Sequence, residues 1–411
     1  MQCPDRHFIY TIDKNAIFRD IQELNRKGIL SIKNLEAHGN GSLWGGIQEF
    51  FTGKWWVYYD REPKRSKHLL HRKLFAMGYF KHAETGCGKC EICKVEHSKD
   101  WTTKGYCESQ MWKNKTFLTL TYNNESLPKD RKLRRSDLQK FWKDLRYHLY
   151  KKQTNKRGRW RRNKETGLKY WEEFIDFTRE REQMEEIYSN PLEDVFGKNS
   201  RRRNRYPIRY LNCGEYGPET KRPHYHAIIW NFEPLDIRRH HKDRRGYWVY
   251  TSKKIDKLWG KGYVIVGTAT TEACAYVARY CTKKYMRSEA EEARMKAKKQ
   301  QEFIGASSLG FIGYFYWVKF KDNIKANQGI VMRNRGITFL AKLPKAMQKV
   351  WKNEDESEFE LYDVTKNKIG KANWEKILSQ TELSESEYIK DTYRKRKKKY
   401  SLLKRSNGDN Y

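Results

Sequence analysis

The 411-residue chain carries 86 Lys and Arg against 51 Asp and Glu, a formal net charge of +35, so a polyanion is the expected partner and nucleic acid ranks above an anionic membrane. The length predicts two or three domains, and no early apolar run is long enough for a signal peptide or membrane span, which argues against an exported or membrane-embedded protein. Aromatic residues, 14% of the sequence, are interleaved with the basic ones all along the chain instead of lining one amphipathic helix, a pattern suited to stacking on bases and contacting phosphates.

Residues 1–86 hold aromatic clusters, Phe50-Phe51 and Trp55-Trp56-Val57-Tyr58-Tyr59, to which no chemistry attaches. In 87–115, Cys87, Cys90 and Cys93 fall within seven positions, with His82 upstream and His97 and Cys107 downstream. In a reducing compartment that spacing favours a metal over disulfides, and soft thiolates suit a structural Zn²⁺ held by Cys87, Cys90, Cys93 and either Cys107 or His97. Free thiols in a tight turn and an iron–sulfur cluster remain alternatives, because no second CxxC completes a zinc ribbon.

Thr116–Tyr122 alternates β-branched and aromatic residues and reads as a strand. Ser136 is the expected cap of a helix whose Leu138, Phe141, Leu145 and Leu149 recur at helical spacing. Residues 151–205 turn basic around an acidic run near Glu180. They read as an exposed insert, a basic hairpin with a charged helix, in which Arg201, Arg202 and Arg203 are expected to contact the DNA backbone.

Two extended runs follow, Tyr206–Cys213 and His224–Asn231, separated by a Gly- and Pro-rich turn, the grammar of a β-hairpin. Strand alternation puts His224 and His226 on one face, within reach of Glu215 on the opposite strand. Two imidazoles and a carboxylate suffice to hold a divalent cation with positions left open, although taken alone such a triplet also fits a half-exposed strand face. Thr251 should cap a short helix carrying Ile255, Leu258 and Trp259, before a strand at Tyr263–Gly267. A helix capped by Thr271 then carries Tyr276 and Tyr280 at i and i+4, with Lys283 and Lys284 one turn on. A phenol, with an unperturbed pKa of about 10, needs nearby positive charge to attack phosphorus, and the lysines and a bound cation would supply it.

Without the insert the order is β-α-β-β-α-β, a split βαβ pattern that predicts an α+β, antiparallel ferredoxin-like (RRM-like) sheet with helices on one face. Its first and third strands should be neighbours, with Thr119 and Thr121 beside the histidines. The sheet domain is expected at 116–290, a charged helical connector at 287–302, a C-terminal region of no evident role at 291–390 with strand character at 329–343, and a basic, disordered-looking tail at 391–411.

Three stretches together resemble the rolling-circle replication initiators. FLTLTY at 117–122 resembles their first motif, CGEYGPETKRPHYHAIIW at 213–230 their His-hydrophobic-His motif, and AYVARYCTKK at 275–284 their tyrosine motif. The chain is most similar to the initiators of gokushoviruses, single-stranded DNA phages of the Microviridae, which also carry a CxxCxxC run before the first strand. The resemblance implies an HUH endonuclease in which Glu215, His224 and His226 hold Mg²⁺ or Mn²⁺, Tyr276 and Tyr280 are candidate nucleophiles, and Lys283 assists. It implies a viral origin and host helicase and polymerase as partners, the host bacterial cytoplasm as the place, and no membrane. A related transposase or relaxase, or a non-catalytic zinc-containing nucleic-acid-binding protein, are the competing readings. The insert, the long tail and EFIGASSLGFIG at 302–313 depart from the family pattern.

Overall fold

The computed structural model describes residues 6–39, 41–51, 57–59, 66, 68–87, 90–150, 158–163, 166–185, 206–217, 220–242, 246, 248–270, 273–278, 302–334 and 336–406. They form two compact units, residues 1–93 with 383–397, and 94–382 with 398–411. In the first, β1 (Arg6–Ile12) lies between β2 (Val57–Tyr59) and β3 (Phe80–Gly86), both antiparallel to it. Short helices pack Ile17, Leu24, Ile47 and Leu74 into a small core. Three of them start where Asp13, Ser31 and Ser42 accept a hydrogen bond from the first turn, which satisfies an otherwise orphaned N–H.

The second unit is built on a seven-stranded sheet whose order is β12 (Phe303–Ala306), β7 (Arg209–Tyr216), β8 (Pro223–Trp230), β4 (Lys115–Tyr122), β11 (Gly262–Thr268), β10 (Trp248–Ser252) and β9 (Ile237–Lys242). Every described pairing in it is antiparallel. The architecture is thus α+β, and β4 neighbours β8 as expected of the first and third predicted strands. Thr119 lies opposite His226, and Thr121 opposite His224.

Alternation along β8 divides the core. Tyr225, Ala227 and Ile229 meet Leu138, Phe141 and Leu145 of the Arg135–Tyr150 helix and Ile255 and Trp259 of the Lys253–Trp259 helix. Ile228 and Trp230 meet Phe117, Cys274, Tyr276 and Val277. Helices therefore cover both faces and not one, because the apolar stripe of residues 273–278 needs the sheet as much as the other helices do.

The insert is the expected basic hairpin, β5 (Gly158–Arg162) with β6 (Lys169–Glu173), followed by a Thr178–Glu182 helix. Strand character at 329–343 is borne out by β13 (Ile330–Asn334) and β14 (Ile337–Ala341). Other expectations need correction. Ser136 lies inside its helix, which begins at Arg135. Ser252, and not Thr251, caps the Lys253–Trp259 helix, its Oγ accepting from Ile255 N at 3.2 Å. The basic block at the C-terminus is helical through Ser406 in a helix starting at Glu385, since Glu385 and Glu387 lie in its first turn and Asp391 pairs with Lys395. The charged connector at 287–302 lies outside the described residues apart from Glu302.

One buried ion pair ties these layers together. Arg209 on β7 and Glu108 on the Glu91–Met111 helix are both fully buried, with Nε–Oε1 at 2.9 Å. Glu108 also accepts from Trp112 Nε1 at 2.8 Å and from Gly313 N at 2.6 Å, while the guanidinium donates to the carbonyls of Leu309 and Phe311. Removing one partner strands a charge in the core, so Glu108→Ala should cost ~3–5 kcal/mol. Urea unfolding measures that loss; a change under 1 kcal/mol would show the pair to be ornamental.

Candidate active site

The β7–β8 register sets Glu215 opposite His224 and Cys213 opposite His226. Glu215 Oε1 lies 2.7 Å from His224 Nε2 and 2.9 Å from His226 Nε2. One ligand atom from each of the three residues lies within 4.8 Å of the others, a group able to hold a metal ion. Exposure falls from 16% for the His224 side chain to 6% for Glu215 and 3% for His226. The pocket therefore opens past His224.

The far ring nitrogens are held as well. His226 Nδ1 is 3.0 Å from Thr119 Oγ1, and His224 Nδ1 is 3.1 Å from the carbonyl oxygen of Arg222. A carbonyl only accepts, so His224 Nδ1 carries hydrogen and donates. Its Nε2 then faces a carboxylate oxygen at 2.7 Å, and a proton or a cation must sit between them. Burial works to raise the Glu215 carboxyl, but hydrogen bonds from His224 and His226 outweigh it and hold it at about 2 against an ordinary 4.5. An ionised carboxylate with two imidazoles whose Nδ1 atoms are already engaged is a donor set that suits Mg²⁺ or Mn²⁺.

Residues 273–278 are helical. Thr270, one residue before the expected Thr271, caps them through Oγ1, which accepts from Ala273 N at 3.1 Å. Tyr276 is 6% exposed and lies edge-on to His226, ring centroids 5.3 Å apart at 88°. Phe117 stacks on the same imidazole at 5.7 Å and 16°, and meets Tyr276 edge-on at 6.1 Å. The helix is pressed down from outside by the Glu91–Met111 helix. A Cβ on its Gly105 would come 3.1 Å from Cys274 Cβ, so only glycine permits this approach. Ser109 one turn on contacts Cys274 Sγ at 3.7 Å and accepts from Trp230 Nε1 at 2.7 Å.

Thus Glu215, His224, His226 and Tyr276 converge. Tyr280, Lys283, Lys284, Arg201, Arg202 and Arg203 lie outside the described residues. Cys87, Cys90 and Cys93 come together, their sulfurs within 4.8 Å, and Cys90 N–H donates to Cys87 Sγ at 3.1 Å. Neither Cys107 nor His97 joins that group. Cys107 is fully buried with Trp317 and Met347, and burial pushes its thiol up; the apolar core around it rules it out as the fourth ligand. His97 Nε2 accepts from Trp101 Nε1 at 3.2 Å. The sequence reading gave no role to Arg222 or Phe117, although Phe117 sits two residues before Thr119 on the strand already expected beside His226.

A family model described as that of replication-associated protein ORF2 matches residues 175–285, the stretch that contains this site. The replication-associated protein VP4 of Bdellovibrio phage phiMH2K is 31% identical over 198 residues, 48% of this chain and 48% of that protein. ORF2 of Spiroplasma virus 4 is 26% identical over 333 residues, 80% and 86% of the two chains, and ORF4 of Chlamydia phage 1 is 22% identical over 291, 69% and 58%. The match thus spans about half of the first relative's length. No solved structure matches significantly. These relatives define a class, the replication-associated proteins of small phages. The chain belongs to it, within the Microviridae rolling-circle initiators that its motifs resemble.

Cation binding should displace the proton between His224 and Glu215, so Mn²⁺ affinity should rise between about pH 5.5 and 8, with proton release in calorimetry. Glu215 itself stays ionised across that range. The stability it contributes is complete above about pH 4.5 and is lost only as pH falls towards about 2. Thr119→Val should weaken Mn²⁺ binding roughly 10- to 100-fold by freeing the His226 ring. Unchanged affinity would mean Thr119 does not orient that ring.

Proposed function

We propose that the chain starts rolling-circle replication of a single-stranded DNA phage by nicking its origin through a tyrosine. The observation that carries this is the edge-on contact of Tyr276 with His226, one of three residues able to hold a divalent ion. The ferredoxin-like reading of the sheet belongs to the same proposal and is supported by the order β7-β8-β4-β11 at its centre. Bound there, Mg²⁺ or Mn²⁺ would polarise the scissile phosphate and offset its charge. Glu215, His224 and His226 hold the ion, Thr119 and the Arg222 carbonyl fix the rings, and the phosphate comes in past the more exposed His224. The Tyr276 phenol oxygen attacks phosphorus and the P–O3′ bond breaks. The phenolic proton ends on the departing 3′ oxygen, leaving a 5′-phosphotyrosine and a free 3′-OH. Tyr280, one helical turn on in sequence, is the second nucleophile that rejoins the strand, and Lys283 assists the phosphate.

A free 3′-OH is a primer end, so host polymerase and helicase are the partners and the host bacterial cytoplasm the place of action. No helix among the described residues is long and apolar enough to cross a membrane. Cys87, Cys90 and Cys93 we assign to a structural Zn²⁺. Purified protein should then carry about one zinc per chain by elemental analysis, lost in Cys90→Ser; a chain without zinc would leave the trio as plain thiols.

Incubating protein, labelled origin strand and Mn²⁺ should give a covalent protein–DNA band. Tyr276→Phe should lower its yield at least tenfold, and Tyr276→Phe with Tyr280→Phe should abolish it. His224→Ala with His226→Ala should stop nicking while salt-sensitive DNA binding persists, because affinity rests mainly on phosphate contacts. An adduct surviving the double tyrosine variant would refute the mechanism. No adduct under any metal would favour a non-catalytic DNA-binding protein, and a requirement for two defined ends a transposase.

A further inference from the structure

The β5–β6 hairpin leaves apolar surface in water in an unusual way. Trp160 and Trp171 are direct cross-strand partners, their rings 5.5 Å apart at 69°, yet they remain 67% and 46% exposed. Strand alternation puts Arg162 and Lys169, the next cross-strand pair, on the same face beside the tip. Both are exposed, and no described carboxylate pairs with either. On the opposite face the cations are already committed: Arg159 and Arg161 both bind Glu172, at 2.6 and 2.8 Å.

The platform is also held firmly at its base. Arg159 lies 4.2 Å over the ring of Tyr147, and Lys257 pairs with Glu173 at 2.6 Å. A Cβ at Gly158 would come 2.6 Å from the Trp171 ring, so glycine is what lets that indole lie across the strand. Tyr147 belongs to the helix that covers the sheet face opposite His226. The tryptophan face is thus a separate surface and not a wall of the nicking pocket.

We propose that this face is a single-stranded DNA binding platform, on which unpaired bases stack against Trp160 and Trp171 while Arg162 and Lys169 take the flanking phosphates. Single strands fit better than duplex, because duplex bases already stack on their neighbours and offer no free face. Stacking on indole is indifferent to base identity, so the platform holds a tract outside the nick without reading it. The proposal rests on the reading of the chain as a DNA-nicking initiator only for the choice of DNA over RNA.

The test is equilibrium binding in EDTA, with no nicking, to labelled oligo(dT) of about 30 nucleotides, long enough to exceed one stacking site, and to an abasic strand of equal length. Trp160→Ala with Trp171→Ala should weaken oligo(dT) binding roughly 10- to 100-fold, in line with stacking at one or two bases. The abasic strand should bind wild type and variant alike. Trp160→Phe with Trp171→Phe should restore most of the loss, which a merely misfolded hairpin would not allow. Arg162→Gln with Lys169→Gln should lower the slope of log affinity against log salt by about two contacts' worth. Equal affinity of wild type and the alanine variant for oligo(dT) would overturn the platform. So would self-association, or binding to anionic vesicles, that disappears in the alanine variant while oligo(dT) binding stays intact. Base-dependent binding in a chain that forms no tyrosine adduct would leave this inference standing and remove the nicking reading instead.

Discussion

A single oxygen, Glu215 Oε1, takes contacts from two imidazole Nε2 atoms at 2.7 and 2.9 Å, and the rest of the sheet is arranged so that it can. The carboxylate is charged and almost dry, which costs free energy unless the positive ends of neighbouring groups replace the lost water. That replacement depends on register, since a one-residue slip of β8 would turn both histidines toward the Arg135–Tyr150 helix. The turn before β8 prevents the slip at a definite atom. The Arg222 carbonyl accepts from Gly217 N at 3.0 Å, closing the turn, and lies 3.1 Å from His224 Nδ1, setting that ring. The same residue's guanidinium donates to the Tyr122 carbonyl at 2.7 Å and so fastens the turn to the end of β4.

The two faces of β8 then divide the labour. Tyr225 and its neighbours build an ordinary sheet-on-helix core. The other face gives its inner end to Ile228 and Trp230 and its outer end to the histidines, so the apolar packing that seats residues 273–278 also aims Tyr276 at His226. The Arg209–Glu108 pair fixes the Glu91–Met111 helix over that layer, and its link to Gly313 N brings in the loop that follows β12. An interaction that is structural in itself thereby limits how far the phenol can wander from the imidazole.

What the residues disclosed in advance was whatever depends on local period and on clustered chemistry. The histidine strand, the adjacency of Thr119 to His226, the helix bearing Leu138 and Leu145, and the insert hairpin all follow from alternation or helical spacing over runs of about five residues or more. The misses have physical reasons. β9, with the sequence IRRHHK, is exposed at every position, so it has no buried face to leave a pattern. β12 is four residues long and is recruited by pairing with β7. The N-terminal unit is assembled from helices of six to eight residues, too short for a periodicity to stand out. Cys107 was grouped with the other cysteines by proximity in sequence, whereas its burial among Trp317 and Met347 makes it a small apolar side chain.

The walls of the pocket impose a condition on its chemistry. Phe117 and Tyr276 line His226 with aromatic surface, and only the His224 side is appreciably open. Within such walls charges act at short range with little screening. The fixed charge nearest the phenol is the anionic Glu215, which opposes both a phenolate and an incoming phosphate. A bound divalent cation reverses the sign of that field at the one point where Glu215, His224 and His226 meet. The same carboxylate that repels DNA from the unloaded pocket is therefore what holds the ion that admits it, and nucleophile, phosphate and ion become compatible only together. Tyrosine attack on chance strands is suppressed by electrostatics before sequence recognition has any part in it.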